Sequence, residues 1–338
     1  MPSTLKIAIA GSTVHTKNSA RVLANHLEFE ISWVLTPEPK KVGRQQKLTF
    51  NPLHEWAHSQ QVPCFLVKDK IDHQLQEEIT NQPDYLPDYL LVIDFGYFIP
   101  NWLLNLPKKA PLNLHPSALP SWRGSSPGQF ILLNGTKKSA VSLIQLTDKL
   151  DSGPIIQQAE FEIGHSWNAD DYYQHSFSIA NEFLTNWILA FDHKKLTAKP
   201  QPTRSPTVEA RKINKNDARV DWKILQFLME NEEKQKNSQQ KAEQVQASLE
   251  TKTILDQQLK KEVVSNWPDV IERASRAFQP WPILWTEVPT VRGKKRMQIL
   301  SCAENENKRL ELKKVRIEGQ TIKSWQEVKN QVKNPKKD

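Results

Sequence analysis

The sequence predicts an α/β protein built on an open, doubly wound, mostly parallel sheet, followed by a small basic β module. Three observations carry this expectation. Short, continuously apolar runs alternate with helical patterns through the first half of the 338 residues. Strands covered on both faces by crossover helices read as such unbroken runs, whereas half-exposed strands alternate. Beyond residue 197 the composition turns polar, and the last stretch holds most of the net positive charge.

Residues 5–10, 31–35, 64–67, 89–93 and 111–115 are expected strands, and 19–27, 52–60, 72–80 and 100–106 the helices between them. This alternation packs as helices on both faces of a sheet. Residues 140–146 and 154–161 read as two further strands around a turn at 148–153. Residues 168–196 read as one long helix, with Asn168 as N-cap and Asp170 and Asp171 in the first turn, where carboxylates suit the helix dipole. The expected organisation is an α/β domain over 1–196, a proline-dotted linker over 197–222, and a Lys/Glu/Gln-rich insertion over 223–266, helical or disordered. A basic domain follows over 267–338, where a short helix and strand-like runs at 297–300 and 310–315 suit a small, shortened β-barrel.

A chain of this length can bury two cores. No run of about 18 apolar residues occurs, as a membrane span would need, and no secretory or transit pattern is visible, so a cytoplasmic location is expected. Cys64 and Cys302 are too far apart in sequence to suggest a disulfide framework or a metal knuckle. The net charge is +8, and residues 285–338, with 14 Lys/Arg against seven Asp/Glu, carry +7 of it. Such a surface suits a polyanion, or simply solubility. Only 10 residues are glycine, yet Gly96, Gly124, Gly128, Gly135 and Gly153 crowd into one stretch. Tight loops and close backbone approach to a ligand are the usual reasons.

Within 111–115, side chains two apart share a face, so Asn113 and His115 project together while Leu112 and Leu114 point the other way. Pro116 disfavours helix at His115 and ends the strand. Both polar groups thus stand at a carboxyl strand end, where open α/β sheets bind ligands. Asp151 arrives later, in a Gly/Pro-containing turn. Amide, imidazole and carboxylate suit acyl transfer to an amine: two donors for an oxyanion and a carboxylate to orient the ring and help remove a proton. The plainer alternatives are a strand end that bonds loop backbone and an Asp that only shapes a turn.

Residues 113–127, Asn-Leu-His-Pro-Ser-Ala-Leu-Pro-Ser-Trp-Arg-Gly-Ser-Ser-Pro, with 150–156, Leu-Asp-Ser-Gly-Pro-Ile-Ile, resemble the active-site signature of the N10-formyltetrahydrofolate-dependent transferases. The resemblance implies a Rossmann-type formyltransferase fold, 10-formyltetrahydrofolate as co-substrate, a primary amine as acceptor and no metal. It implies catalytic roles for Asn113, His115 and Asp151, and a folate-contacting loop at Ser117, Ala118, Leu119 and Pro120, with alanine where leucine is more usual. Phe95, Gly96 and Tyr97 resemble the loop beside the pterin. Three segments resemble the branch of that family acting on methionyl-tRNA: the basic loop 37–48, and segments 212–222 and 276–282. By that resemblance Arg44, with Lys40, Lys41 and Lys47, reads the acceptor stem, and the tail is an OB-like module touching RNA. Initiator methionyl-tRNA and folate are the implied partners; no membrane contact is expected, and a monomer is. The resemblance covers 5–222 and 270–325. It departs at 11–15, Gly-Ser-Thr-Val-His where Gly-Thr-Pro-x-Phe is usual, at 223–266, which is largely additional, and in the shortened barrel.

Rival readings remain. His54-Glu-Trp-Ala-His58 matches the H-E-x-x-H zinc helix, which also needs a third ligand. The same formyl chemistry could serve a sugar-nucleotide amine, against which the basic segments argue. A tRNA-binding relative without catalysis would not need the Asn113, His115 and Asp151 set.

Overall fold

The computed structural model describes residues 4–42, 46–230, 244, 246–247, 249 and 252–332. These form two compact units. The first comprises Met1–Gly124, Lys138–Glu162 and Tyr173–Glu209; the second comprises Ser125–Lys137, Ile163–Tyr172 and Ala210–Asp338.

The first unit is a sheet of β1 (Leu5–Gly11), β2 (Phe29–Pro37), β5 (Cys64–Val67), β6 (Tyr89–Ile93), β7 (Ala110–His115), β8 (Lys138–Gln145) and β9 (Ile155–Glu162). A small hairpin, β3 (Lys40–Val42) and β4 (Lys47–Thr49), follows β2. The sheet order is β5-β2-β1-β6-β7-β8-β9. β5, β2, β1, β6 and β7 run parallel, β8 runs antiparallel to β7, and β9 antiparallel to β8. The mostly parallel, doubly wound expectation is what the chain adopts.

The apolar runs are explained by two cores, one on each face. Ile7, Ile9, Leu91, Ile93, Leu112 and Leu114 pack with Leu23 of α1 (Val14–Ala24), Leu53 of α2 (Pro52–Ser59) and Phe177 and Leu184 of α6 (Ala169–Asp192). Ala8, Ala10, Trp33, Leu35, Leu90 and Val92 pack with Leu75 and Ile79 of α3 (His73–Thr80) and Leu103 of α4 (Asn101–Leu104). All five residues of β6 are buried, so the strand has no polar position to alternate. Helix α1 begins at Val14 rather than at 19, because the Thr13 side chain accepts from the Thr16 N–H and closes a polar first turn. Thr16 Oγ1 donates to the Ile93 carbonyl at 2.7 Å. A Cβ at Gly11 would lie 2.4 Å from that carbonyl oxygen, so only glycine fits where β1 meets α1.

The second unit holds α5 (Pro127–Leu133), α7 (Trp222–Met229), α8 (Ile254–Lys261), α9 (Trp267–Ala277) and α10 (Trp325–Val328). Its four-stranded antiparallel sheet runs β10 (Trp285–Thr290), β11 (Gly293–Glu304), β12 (Leu310–Ile317), β13 (Lys323–Ser324). The runs expected at 297–300 and 310–315 fall within β11 and β12, and this sheet stands where the small barrel is expected. Sequence periodicity does not mark α5: it is short, and Phe130, Ile131, Leu132 and Leu133 are all buried, partly against α9. That packing is why 125–137 belongs with the C-terminal half, so the units are not contiguous spans cut at 196, 222 and 266. Residues 43–45, which include Arg44, lie outside the described residues, as do 231–243, 245, 248, 250 and 251 of the expected insertion and 333–338. No described helix is long and apolar enough to cross a membrane.

Candidate active site

Strand alternation does what the sequence requires of it. Leu112 and Leu114 enter one core, and Asn113 and His115 face the opposite side at the carboxyl end of β7. His115 is 4% exposed. Its Nδ1 lies 3.6 Å from Asp151 Oδ1, and its Nε2 lies 3.1 Å from the Trp122 carbonyl oxygen. The Trp122 carbonyl can only accept, so Nε2 is the ring nitrogen that donates in this hydrogen bond, while at 3.6 Å the Asp151 carboxylate stands beside Nδ1 as a charge neighbour. Asn113 sits in the ladder between Val92 of β6 and Ile144 of β8. It is half-buried, and its amide makes no hydrogen bond to any described residue. An amide so placed is available to a ligand oxygen.

Asp151 is held by backbone rather than by chance. It takes φ +47°, a left-handed conformation that Asp tolerates better than most residues. Its Oδ2 accepts the Gly124 N–H at 2.8 Å. Two residues on, a Cβ at Gly153 would stand 1.7 Å from the Gln145 carbonyl oxygen, so the turn closes only with glycine. Gln201 Nε2 donates to the carbonyls of Asp151 and Gly153 at 2.9 and 2.7 Å. Gln201 Oε1 accepts from Arg123 Nε and Nη2 at 3.0 and 2.8 Å. Arg123 also donates to the Pro202 carbonyl. The sequence does not mark Gln201 as a site residue. It lies in the proline-dotted stretch read as linker, and no periodicity marks it.

The loop Ser117, Ala118, Leu119, Pro120 is pinned from below by Ser142, the ladder partner of His115. Ser142 Oγ donates to the Ser117 carbonyl at 2.6 Å and accepts from Leu119 N and Gln158 Nε2 at 3.3 and 2.7 Å. Gln158 Nε2 also donates to the Leu119 carbonyl. The Leu119–Pro120 peptide is cis. Thr207 Oγ1 accepts from Trp122 N at 2.7 Å, and Ser205 Oγ donates to the Pro120 carbonyl at 2.9 Å. Beyond β6, Asp94 has φ +48°, and Phe95 and Tyr97 stack at a tilt with ring centroids 5.2 Å apart. A Cβ at Gly96 would meet nothing within 4 Å, so local crowding does not demand glycine there.

Lys40, Lys41 and Lys47 are exposed on the β3–β4 hairpin. On α2, His54 meets the Phe50 ring edge-on at 4.8 Å, and His58 is exposed. Burial first, then the neighbouring His58, lower the His54 pKa against a smaller opposing pull from Glu55. Among the described residues no three His, Cys, Asp or Glu side chains are grouped to hold a metal ion.

The formyl transferase family model matches residues 5–188. The chain belongs to that family. The methionyl-tRNA formyltransferase of Wolbachia pipientis subsp. Culex pipiens (strain wPip) is 33% identical over 180 residues, 53% of this chain and 59% of that protein. That of Alkaliphilus oremlandii (strain OhILAs) is 31% identical over 193 residues, 57% of this chain and 61% of that protein. The matched part therefore spans about three fifths of these curated relatives. Among solved structures, the methionyl-tRNA formyltransferase from Clostridium thermocellum superposes with a TM-score of 0.50 at 14% identity, covering 93% of this chain and 98% of that one. At that identity the likeness is one of fold.

Proposed function

We propose that this member of the formyl transferase family moves a formyl group from 10-formyltetrahydrofolate to the α-amino group of methionine esterified to initiator tRNA. The observation that carries the reading is the buried His115–Asp151 pair, 3.6 Å apart at the end of β7, with the Asn113 amide, unpartnered among the described residues, two residues before it. The amine nitrogen attacks the formyl carbon and forms the new C–N bond as the carbonyl electrons move to oxygen. Asn113 donates to that oxyanion, and His115, set between Asp151 and the Trp122 carbonyl, lends positive charge when protonated. Asp151 accepts, through His115 or water, the proton lost by the amine. Collapse restores the carbonyl, breaks the bond to the folate nitrogen, and that nitrogen takes up a proton. The pinned loop 117–120 and the Phe95–Tyr97 pair are the folate contacts in this reading.

The tRNA acceptor is supported by the names of the relatives and by the exposed Lys40, Lys41 and Lys47 beside the Arg44 segment. A single-turnover assay with 10-formyltetrahydrofolate and methionyl initiator tRNA, run beside a nucleotide-linked amino sugar, tests it. Formylation of the tRNA and not the sugar is expected; the reverse would replace the acceptor and keep the chemistry. Arg44→Ala is expected to weaken discrimination among tRNAs more than it slows the saturated reaction.

A further inference from the structure

We infer that Gln201 is a positioning residue for the transfer: it sets the Asp151 carboxylate by tying the Asp151–Gly153 turn to Arg123. The inference rests on the reading of Asp151 as a catalytic group given above.

Three facts lead to it. Asp151 is held at φ +47°, away from the conformations an L-residue prefers, so something must stabilise that turn. From outside the turn, Gln201 Nε2 donates to the carbonyls of both Asp151 and Gly153, at 2.9 and 2.7 Å. The same side chain's Oε1 is fixed by two guanidinium N–H groups of Arg123, at 3.0 and 2.8 Å. Arg123 stands between Trp122, whose carbonyl meets His115 Nε2, and Gly124, whose N–H meets Asp151 Oδ2. One amide thus ties the turn that bears Asp151 to the 122–124 segment, which contacts both members of the His115–Asp151 pair. Its orientation is not interchangeable: the oxygen faces only donors and the nitrogen only acceptors.

Glutamate is the informative substitution. In Gln201→Glu one oxygen still accepts from Arg123, but the other now faces two carbonyl oxygens with nothing to donate. Gln201→Met keeps the length and loses both interactions. Displacing a catalytic group by about 1 Å costs on the order of 10²-fold in rate. Both variants are therefore expected to lose about 10- to 100-fold in kcat, with the KM for 10-formyltetrahydrofolate within two-fold of the parent. Because Gln201 acts through Asp151, Gln201→Glu should add little in an Asp151→Asn background, a non-additivity that a general loss of stability would not produce. A crystal structure of Gln201→Glu should show the Asp151 carboxylate turned away from Gly124 N. Retained geometry in that structure, a kcat within two-fold of the parent, or full additivity with Asp151→Asn would each overturn the inference. Should Asp151→Asn itself leave kcat unchanged, the catalytic reading of Asp151 fails instead, and the crystal structure still decides whether Gln201 sets the turn.

Discussion

Ser142→Ala and Ser176→Ala remove the same atom from sites of equal burial, and the structure assigns them opposite outcomes. Both hydroxyls belong to residues with no exposed surface. Ser142 Oγ donates once and accepts twice, at 2.6, 2.7 and 3.3 Å. Ser176 Oγ, inside α6, has no hydrogen-bond partner among the described residues. A satisfied intramolecular hydrogen bond contributes about 0.5–1.5 kcal/mol net. The 3.3 Å contact is weak, so two bonds carry the Ser142 effect. The groups left behind each keep one partner: Leu119 N on the Ser117 carbonyl, the Ser117 carbonyl on Leu119 N, and Gln158 Nε2 on the Leu119 carbonyl. No full desolvation penalty is then added, and Ser142→Ala should cost about 1–3 kcal/mol. Ser176→Ala removes a buried polar atom that gains nothing, so it should be neutral or stabilising by about 1 kcal/mol. Urea unfolding followed by far-UV circular dichroism reads both, provided the m-value stays fixed. Because Ser142 pins loop 117–120, its variant should also raise the KM for the formyl donor. If Ser142→Ala proves no more destabilising than Ser176→Ala, the pinning network has been misread.

His115→Ala should lower single-turnover formylation by about 10²-fold or more, while the folate KM changes little; near-full turnover would remove His115 from the reaction. Gly153→Ala forces a Cβ to within 1.7 Å of the Gln145 carbonyl oxygen, so the turn bearing Asp151 must shift. It should lose most activity and lower the melting temperature, both read on the purified variant. Burial pushes the Cys64 thiol from 9.0 up to about 11 and the Cys302 thiol up to about 12. Both stay protonated at pH 8, and labelling of the native chain by iodoacetamide should be far slower than that of free cysteine. A folded pKa above the unfolded value means the associated stability is complete below pH 9 and is lost as pH rises through about 11 and 12. Cys64→Ala with Cys302→Ala should therefore flatten the alkaline fall in unfolding midpoint.

What could be read in the sequence divides along the range of the interactions. The β6 run, Tyr89–Ile93, is legible because burial on both faces leaves no polar position, and that pattern needs no knowledge of partners. The shared face of Asn113 and His115 follows from the two-residue period alone. Where the outcome depends on a distant segment, the sequence is silent. Helix α5 has no side-chain N-cap, and after Gln129 its residues 130–133 are apolar without a break, so it carries no amphipathic period; only its packing within the second unit explains it. Asp151 looks like any turn residue until its φ and the Gly124 N–H are seen. Gln201 is the sharpest case. Its partners lie 48, 50 and 78 positions away, and its neighbours Pro200 and Pro202 give the stretch the composition of a linker. Yet the prolines suit the role: a chain held extended by fixed φ angles presents one amide to two loops without the entropy cost of ordering a flexible segment. A proline-dotted, polar stretch next to a catalytic unit is therefore weak evidence for a free tether, and its amide side chains merit the same scrutiny as the residues of the signature they brace.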